Sequence, residues 1–246
     1  MPASLTNKCK LCGEERRLSR SHIIPEFLYA PLYDDKHVLR QHDRTSGRIQ
    51  FLQKGVRERL LCAACEALLN DRYEKYFKTA WYDDGALPPR PDFTQVAITG
   101  LDYRPSKLFL LSVLWRASVA KQGLFSHVEL GPTHERAIRL MILNNDPGGE
   151  GLYPFAVDVL WLNDYVVRGL VLQPVDRRYG HKRVYVFGFG GCIWYFLVGS
   201  EALGMFRTLT LRKDGTLPIM WQNLTKLRLV QEFLLDHWSA AGRLPK

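Results

Sequence analysis

Four of the chain's five cysteines form two pairs of identical spacing, Cys9-Lys-Leu-Cys12 and Cys62-Ala-Ala-Cys65, and no other feature restricts the fold as tightly. Two thiolates separated by two residues can both point at one tetrahedral ion, and two such pairs fill its shell. A four-cysteine site of this kind is closed, so its zinc is structural and chemistry falls to the residues it positions. The competing reading, buried free thiols or a redox pair, leaves the doubled spacing unexplained. Cys192, inside an apolar run, reads as a buried free thiol.

The pattern around the pairs predicts their setting. Residues 1–8 read as a disordered lead-in, and Gly13 permits the tight turn behind the second thiolate. Residues 17–24 read as extended; Pro25 opens a short helix that Pro31 stops. Residues 34–55 carry charges and glycines with little periodicity, which predicts a loop with one strand at 48–52. Residues 56–61 alternate as a strand into the second pair, and a helix follows over 65–80, its apolar side marked by Leu68, Leu69, Tyr73, Tyr76 and Phe77. Gly85 and the prolines of 83–91 mark a linker between a lobe at 1–82 and a body at 92–246.

In the body, a strand is expected at 94–99, a buried helix at 106–121 and an amphipathic helix at 133–144. Strands follow at 155–162, 165–173, 183–189, 192–198 and 206–211, then a final helix at 223–238. The fold class is therefore α+β, a small zinc-bound lobe followed by a mixed helical and antiparallel-sheet body. Within the buried helix, Trp115-Arg116 reads as core plus a paired arginine.

The formal net charge of +9 makes nucleic acid a natural partner, since lysines and arginines that neutralise phosphates release condensed counterions. Charge alone is weak evidence, but here the arginines crowd the first sixty positions, Arg20, Arg57 and Arg59 among them. An ordinary charged surface is the alternative. The longest apolar runs fall well short of the roughly 20 residues that span a bilayer, and no signal-like segment opens the chain, which points to a soluble cytoplasmic protein with no membrane partner.

Three pieces, Cys9 and Cys12, Ser21-His22-Ile23-Ile24-Pro25, and Leu60-Leu61-Cys62-Ala63-Ala64-Cys65-Glu66, together resemble the HNH endonuclease superfamily in its zinc-knuckle form. The resemblance covers residues 9–77, about a third of the chain. It implies a ββα-metal, treble-clef-like lobe and a metal-dependent endonuclease acting on nucleic acid, with DNA the favoured form. His22 would be the general base that deprotonates the attacking water, a task suited to an imidazole with a pKa near 6.5. A catalytic Mg2+ or Mn2+ would steady the charge growing on phosphorus.

The family's ligand positions for that ion hold Ser21 and Glu66 here. Serine is a poor ligand for a hard cation and glutamate a good one, while Asn70 and Glu74 follow on the same helix face and could complete the shell. Arg57 replaces the asparagine that usually orients the base. Each assignment has a plainer rival. His22 can be a core histidine bonded to a carbonyl, Glu66 can simply favour the helix dipole, and Asn70 and Glu74 can be a solvated face, with Glu74 paired to Arg72, Lys75 or Lys78.

Two other functions fit the same residues: a non-catalytic zinc module that binds nucleic acid, and a zinc-stabilised protein-interaction protein whose partner docks on the C-terminal body. Service in phage defence rests on the family resemblance alone.

Overall fold

The computed structural model describes residues 6–42, 49–83, 87, 95–121, 123–200 and 204–226. The chain is α+β. Its first sheet has three strands in the order β1 (Thr6–Lys8), β2 (Glu15–His22) and β5 (Arg57–Cys62), all antiparallel. Between β2 and β5 lie two single 3-10 turns, Glu26–Leu28 and Ala30–Leu32, and a separate two-stranded ribbon of β3 (Leu39–His42) and β4 (Ile49–Leu52). β4 falls on the strand expected at 48–52, β3 takes part of the loop expected over 34–55, and β1 takes part of the expected lead-in. β1 and β3 are short strands held by pairing, with too few alternating apolar residues to stand out in the sequence.

Cys62 caps α1 (Ala63–Leu69), and the helical path continues through a wide turn at Asn70–Glu74, α2 (Lys75–Phe77) and a second wide turn at Lys78–Tyr82. The wide turns have a packing reason. Leu69, Tyr73, Phe77 and Trp81 recur every four residues and all are buried. At 3.6 residues per turn such a stripe drifts around an α-helix, whereas π-type turns drift the other way. Mixing the two keeps the four side chains on one face.

That face packs on α3 (Tyr103–Val119), which is buried nearly all round, as the sequence predicts. Phe77 stacks on Phe109 at 3.8 Å between ring centroids, and Trp81 meets Trp194 at 5.1 Å. Tyr73 Oη donates to the Ile142 carbonyl at the end of α4 (Pro132–Leu143), and Arg139 Nε donates to the Leu11 carbonyl inside the first cysteine turn. One continuous buried cluster thus runs from Cys9 to Trp221.

The second sheet has seven strands. Its path is β6 (Gln95–Ile98), β12 (Leu217–Asn223), β7 (Phe155–Leu162), β11 (Cys192–Leu197), β10 (Lys182–Phe189) and β9 (Leu172–Tyr179), with β8 (Tyr165–Val166) paired to β7. All pairings are antiparallel except β12 with β7, so the body sheet is mixed rather than purely antiparallel.

Several expected elements change: the strand expected at 165–173 divides into β8 and β9, and Pro31 lies within the second 3-10 turn rather than ending a helix. Residues 206–211 are not a strand: Gly204, at φ +50°, turns the chain into the one-turn helix α5 (Met205–Thr208), where Leu209 N–H donates to the Met205 carbonyl. The segment before the expected final helix is β12 and a 3-10 turn, Leu224–Lys226. The remainder of that helix and most of the 83–91 linker lie outside the described residues. No helix among the described residues is long and apolar enough to cross a membrane.

Phe77 is the joint between the helix that leaves the cysteines and the core of the body. Phe77→Ala removes a ring that is 3% exposed and should destabilise the protein by about 3–5 kcal/mol in urea denaturation. A loss under about 1 kcal/mol would show that the two parts are not packed as described.

Candidate functional site

The first cysteine pair sits on the turn from β1 to β2. Gly13, at φ +84°, closes it by donating its N–H to the Cys9 carbonyl, and Cys9 N–H reaches the Glu14 carbonyl. The second pair spans the end of β5 and the first turn of α1. Lys10 N–H donates to the Leu60 carbonyl at 2.9 Å, and Cys62 N–H donates to Cys9 Sγ at 3.3 Å, so the pairs are stitched together by the backbone.

All four sulfurs lie within 4.8 Å of one another, Cys12 and Cys62 at 4.0 Å, and none is in a disulfide. Four thiolates about 2.3 Å from a tetrahedral zinc stand about 3.8 Å apart, so the cluster has the dimensions of a metal site.

The electrostatics fit the same ligand set. Burial alone would push the Cys9 thiol up, but N–H groups from Cys12, Cys62 and Leu11 outweigh it and bring the pKa down to about 7. Burial raises Cys12 and Cys65, each of which also faces neighbouring sulfurs. Crowded, buried thiols resist becoming thiolates together unless a cation joins them, which is the demand a divalent metal meets. This four-cysteine group could hold a metal and is consistent with a zinc site.

Strand alternation sorts the remaining candidates into two groups. In the β2–β5 ribbon Arg20 faces Arg59, Ser21 faces Glu58 and His22 faces Arg57. Directly paired residues share a face and neighbours alternate. Arg20, His22, Arg57 and Arg59 therefore belong to one face and Ser21 to the other. Ser21, 1% exposed, accepts the Leu61 N–H at 3.0 Å and lies near enough to the Glu66 carboxyl to favour its ionised form. Burial raises the Glu66 carboxyl, opposed by Ser21 and Arg116 and reinforced by Glu74, and its Oε1 has no hydrogen-bond partner among the described residues.

Arg116, 1% exposed, reaches this inner group from α3. Its Nη1 donates to Glu74 Oε1 at 2.9 Å and to the His22 carbonyl at 3.0 Å, while Nε and Nη2 bind Ser112. Glu74 thus pairs with Arg116; Lys75 pairs with Asp71 and Lys78 with Asp83. Of the four positions offered to a catalytic divalent ion, Ser21, Glu66 and Glu74 come together, but beside a guanidinium that already supplies positive charge. Asn70 is exposed and donates to Asp71. The set does not fit such an ion, and the Ser21 hydroxyl is engaged by the Leu61 N–H of the neighbouring strand.

On the other face, His22 Nε2 lies 2.5 Å from Glu26 Oε2, four residues on; the approach is off the hydrogen-bond direction, and neither atom has another partner among the described residues. Glu26 Oε1 accepts from Tyr33 Oη at 2.7 Å, and Tyr33 in turn accepts the Gly55 N–H at 2.9 Å. Gly55 has no room for a side chain, since a Cβ there would stand 2.3 Å from the Tyr29 ring.

Burial lowers the His22 pKa to about 4, against the pull of Glu26 and with help from Arg57, Arg116 and Lys54. The imidazole is therefore neutral at neutral pH. A cleft of about 660 Å³ is lined by Arg20, Phe51, Lys54, Arg57 and Leu124; His22 is not in its lining and adjoins it through its strand partner Arg57. Arg59 spends one donor on the Leu18 carbonyl.

His22 and Glu66, which the sequence pairs, thus have separate partners. Sequence reasoning missed Glu26, Tyr33 and Phe51, whereas Lys54 belongs to the basic residues that crowd the first sixty positions. The i,i+4 relation of His22 to Glu26 was the one readable signal, and Pro25 between them gave it no helical context. No family model matches this chain, and no curated protein or solved structure is similar to it.

Folding that holds an imidazole neutral makes stability depend on pH with a definite sign. His22 titrates near 6.5 when unfolded and about 4 when folded, so the unfolded chain binds more protons between those values. Its contribution is complete above pH 6.5 and declines as the pH falls towards 4. Denaturation of wild type and His22→Gln across that window should show a steeper acid loss for wild type; Asp158, raised by burial to about 6, acts in the opposite sense in both proteins and cancels. Parallel curves would mean that the imidazole is not held neutral.

Proposed function

We propose that this protein hydrolyses phosphodiester bonds of nucleic acid, with His22 as the general base and its cysteine-bound zinc purely structural. The observation that carries the proposal is that His22, next to the Glu26 carboxylate, is paired across the sheet with Arg57, which lines an open basic cleft. His22 accepts a proton from the attacking water, with a basicity that burial lowers below that of a free imidazole; the nearby Glu26 carboxylate steadies the imidazolium that forms, and Lys54, Arg57 and Arg20 attract the phosphates. The likeness of Ser21–Pro25 and the cysteine pairs to HNH endonucleases supports the same assignment, with DNA as the first substrate to try. Zinc, when bound by Cys9, Cys12, Cys62 and Cys65, holds the ribbon that carries His22. Because the inner carboxylates are matched by Arg116, no step is routed through a second metal.

A second reading has its own observation. Glu66 is turned inward to Ser21, away from the cleft face, which favours a module that binds nucleic acid without cutting it. Nicking of supercoiled plasmid, with and without magnesium or manganese, separates the two. Hydrolysis predicts cutting by wild type that falls on the order of 10²–10⁴-fold in His22→Ala. Salt-sensitive retention of the plasmid with no cutting by either protein would replace the nuclease with the binder.

A further inference from the structure

Phe51 is out of place for an apolar side chain. It is 67% exposed, while its neighbours in the β3–β4 ribbon turn inward: Leu39 is buried and Leu52 half-buried against the core. Alternation along β4 explains why Leu52 and Phe51 face opposite ways. It does not explain why the outward position holds a large aromatic rather than a polar residue. Of the most exposed large apolar side chains among the described residues, Leu140, Tyr165 and Tyr179 lie outside the cleft; Phe51 lines it, together with Arg20, Lys54 and Arg57.

We infer that Phe51 is a stacking platform for an unpaired base, and that the cleft takes single-stranded nucleic acid in preference to duplex. This inference rests on the reading of the cleft as a phosphodiester site and deepens it by naming the substrate form. Aromatic faces beside basic side chains suit a single strand: bases stack on the ring while the cations track the phosphates. In a duplex the base faces are already stacked on each other, so a ring standing at the cleft wall has nothing to cover unless a base leaves the helix. Arg57 and Lys54 lie within electrostatic reach of His22, so a strand whose base rests on Phe51 has its phosphates led past the imidazole.

The test is fluorescence anisotropy with a labelled single-stranded oligonucleotide and its duplex at low salt, using wild type, Phe51→Ala and Phe51→Trp. An exposed side chain can be truncated without harm to folding, which an unchanged melting temperature would verify. Wild type should prefer the single strand. Phe51→Ala should lose roughly 5- to 150-fold for the single strand, the range for removing one aromatic–base stack, with the duplex affinity and the salt slope unchanged. Phe51→Trp should restore it. Equal single-strand affinity in wild type and Phe51→Ala, or an equal loss for both nucleic acids, overturns the platform while leaving the cleft as a nucleic-acid site. Binding of neither nucleic acid by wild type overturns the platform and the proposed function together.

Discussion

The convergence of four sulfurs from two distant segments is the constraint on which the rest of the structure depends. Cys9 and Cys12 lie some fifty residues before Cys62 and Cys65, and the described part of the intervening chain makes β2 and β5 with only single 3-10 turns and a two-stranded ribbon between them. Its buried apolar residues, Ile23, Ile24, Leu28 and Leu60 among them, join the common core, but a small three-stranded sheet gains much from a further fastening at its end. Once the sulfurs meet, β2 and β5 are aligned in register, α1 starts at a set angle from Cys62, and the face of each ribbon residue follows from alternation. The position of His22 opposite Arg57 is therefore a consequence of where the thiols are. Zinc-sized spacing among them turns a loop-rich segment into a rigid support.

A second fastening comes from the body. Arg116 carries its charge into an interior where an unpaired guanidinium would be very costly, and the Glu74 carboxylate and the His22 carbonyl offset that cost. The pairing ties α3 to the helix leaving the cysteines and to the end of β2 at once. With Phe77 stacked on Phe109 and Arg139 bonded to Leu11, it makes the cysteine region and the sheet body one packed unit around a shared core. The same guanidinium gives Glu66 and Glu74 a permanent counter-charge. That separates an inner, neutralised group under the ribbon from an outer, cationic face that meets solvent.

What could be read from the sequence was local. The cysteine spacing, the strand into His22, the strand into Cys62, the helix behind it and the buried α3 all announce themselves within a dozen residues. Arg116 was legible as a paired arginine, but its partners, His22 and Glu74, lie 94 and 42 residues away, and sequence periodicity carries no information about such pairs. Of the β3–β4 ribbon, β4 falls on the strand expected at 48–52, while β3 escaped because it is short and mostly polar. β12 escaped because Pro218 breaks its pattern and because its parallel partner, β7, is more than fifty residues distant. The sequence paired His22 with Glu66 from motif order, but in a strand the residue beside a histidine points to the opposite face. Ser21, not His22, meets the helix.

X-ray absorption at the zinc edge of the purified protein tests the central claim most directly. The account predicts one zinc per chain with four sulfur neighbours at about 2.3 Å and no nitrogen or oxygen in the first shell. A folded protein without stoichiometric zinc, or a zinc bound by histidine or carboxylate instead of Cys9, Cys12, Cys62 and Cys65, would contradict it.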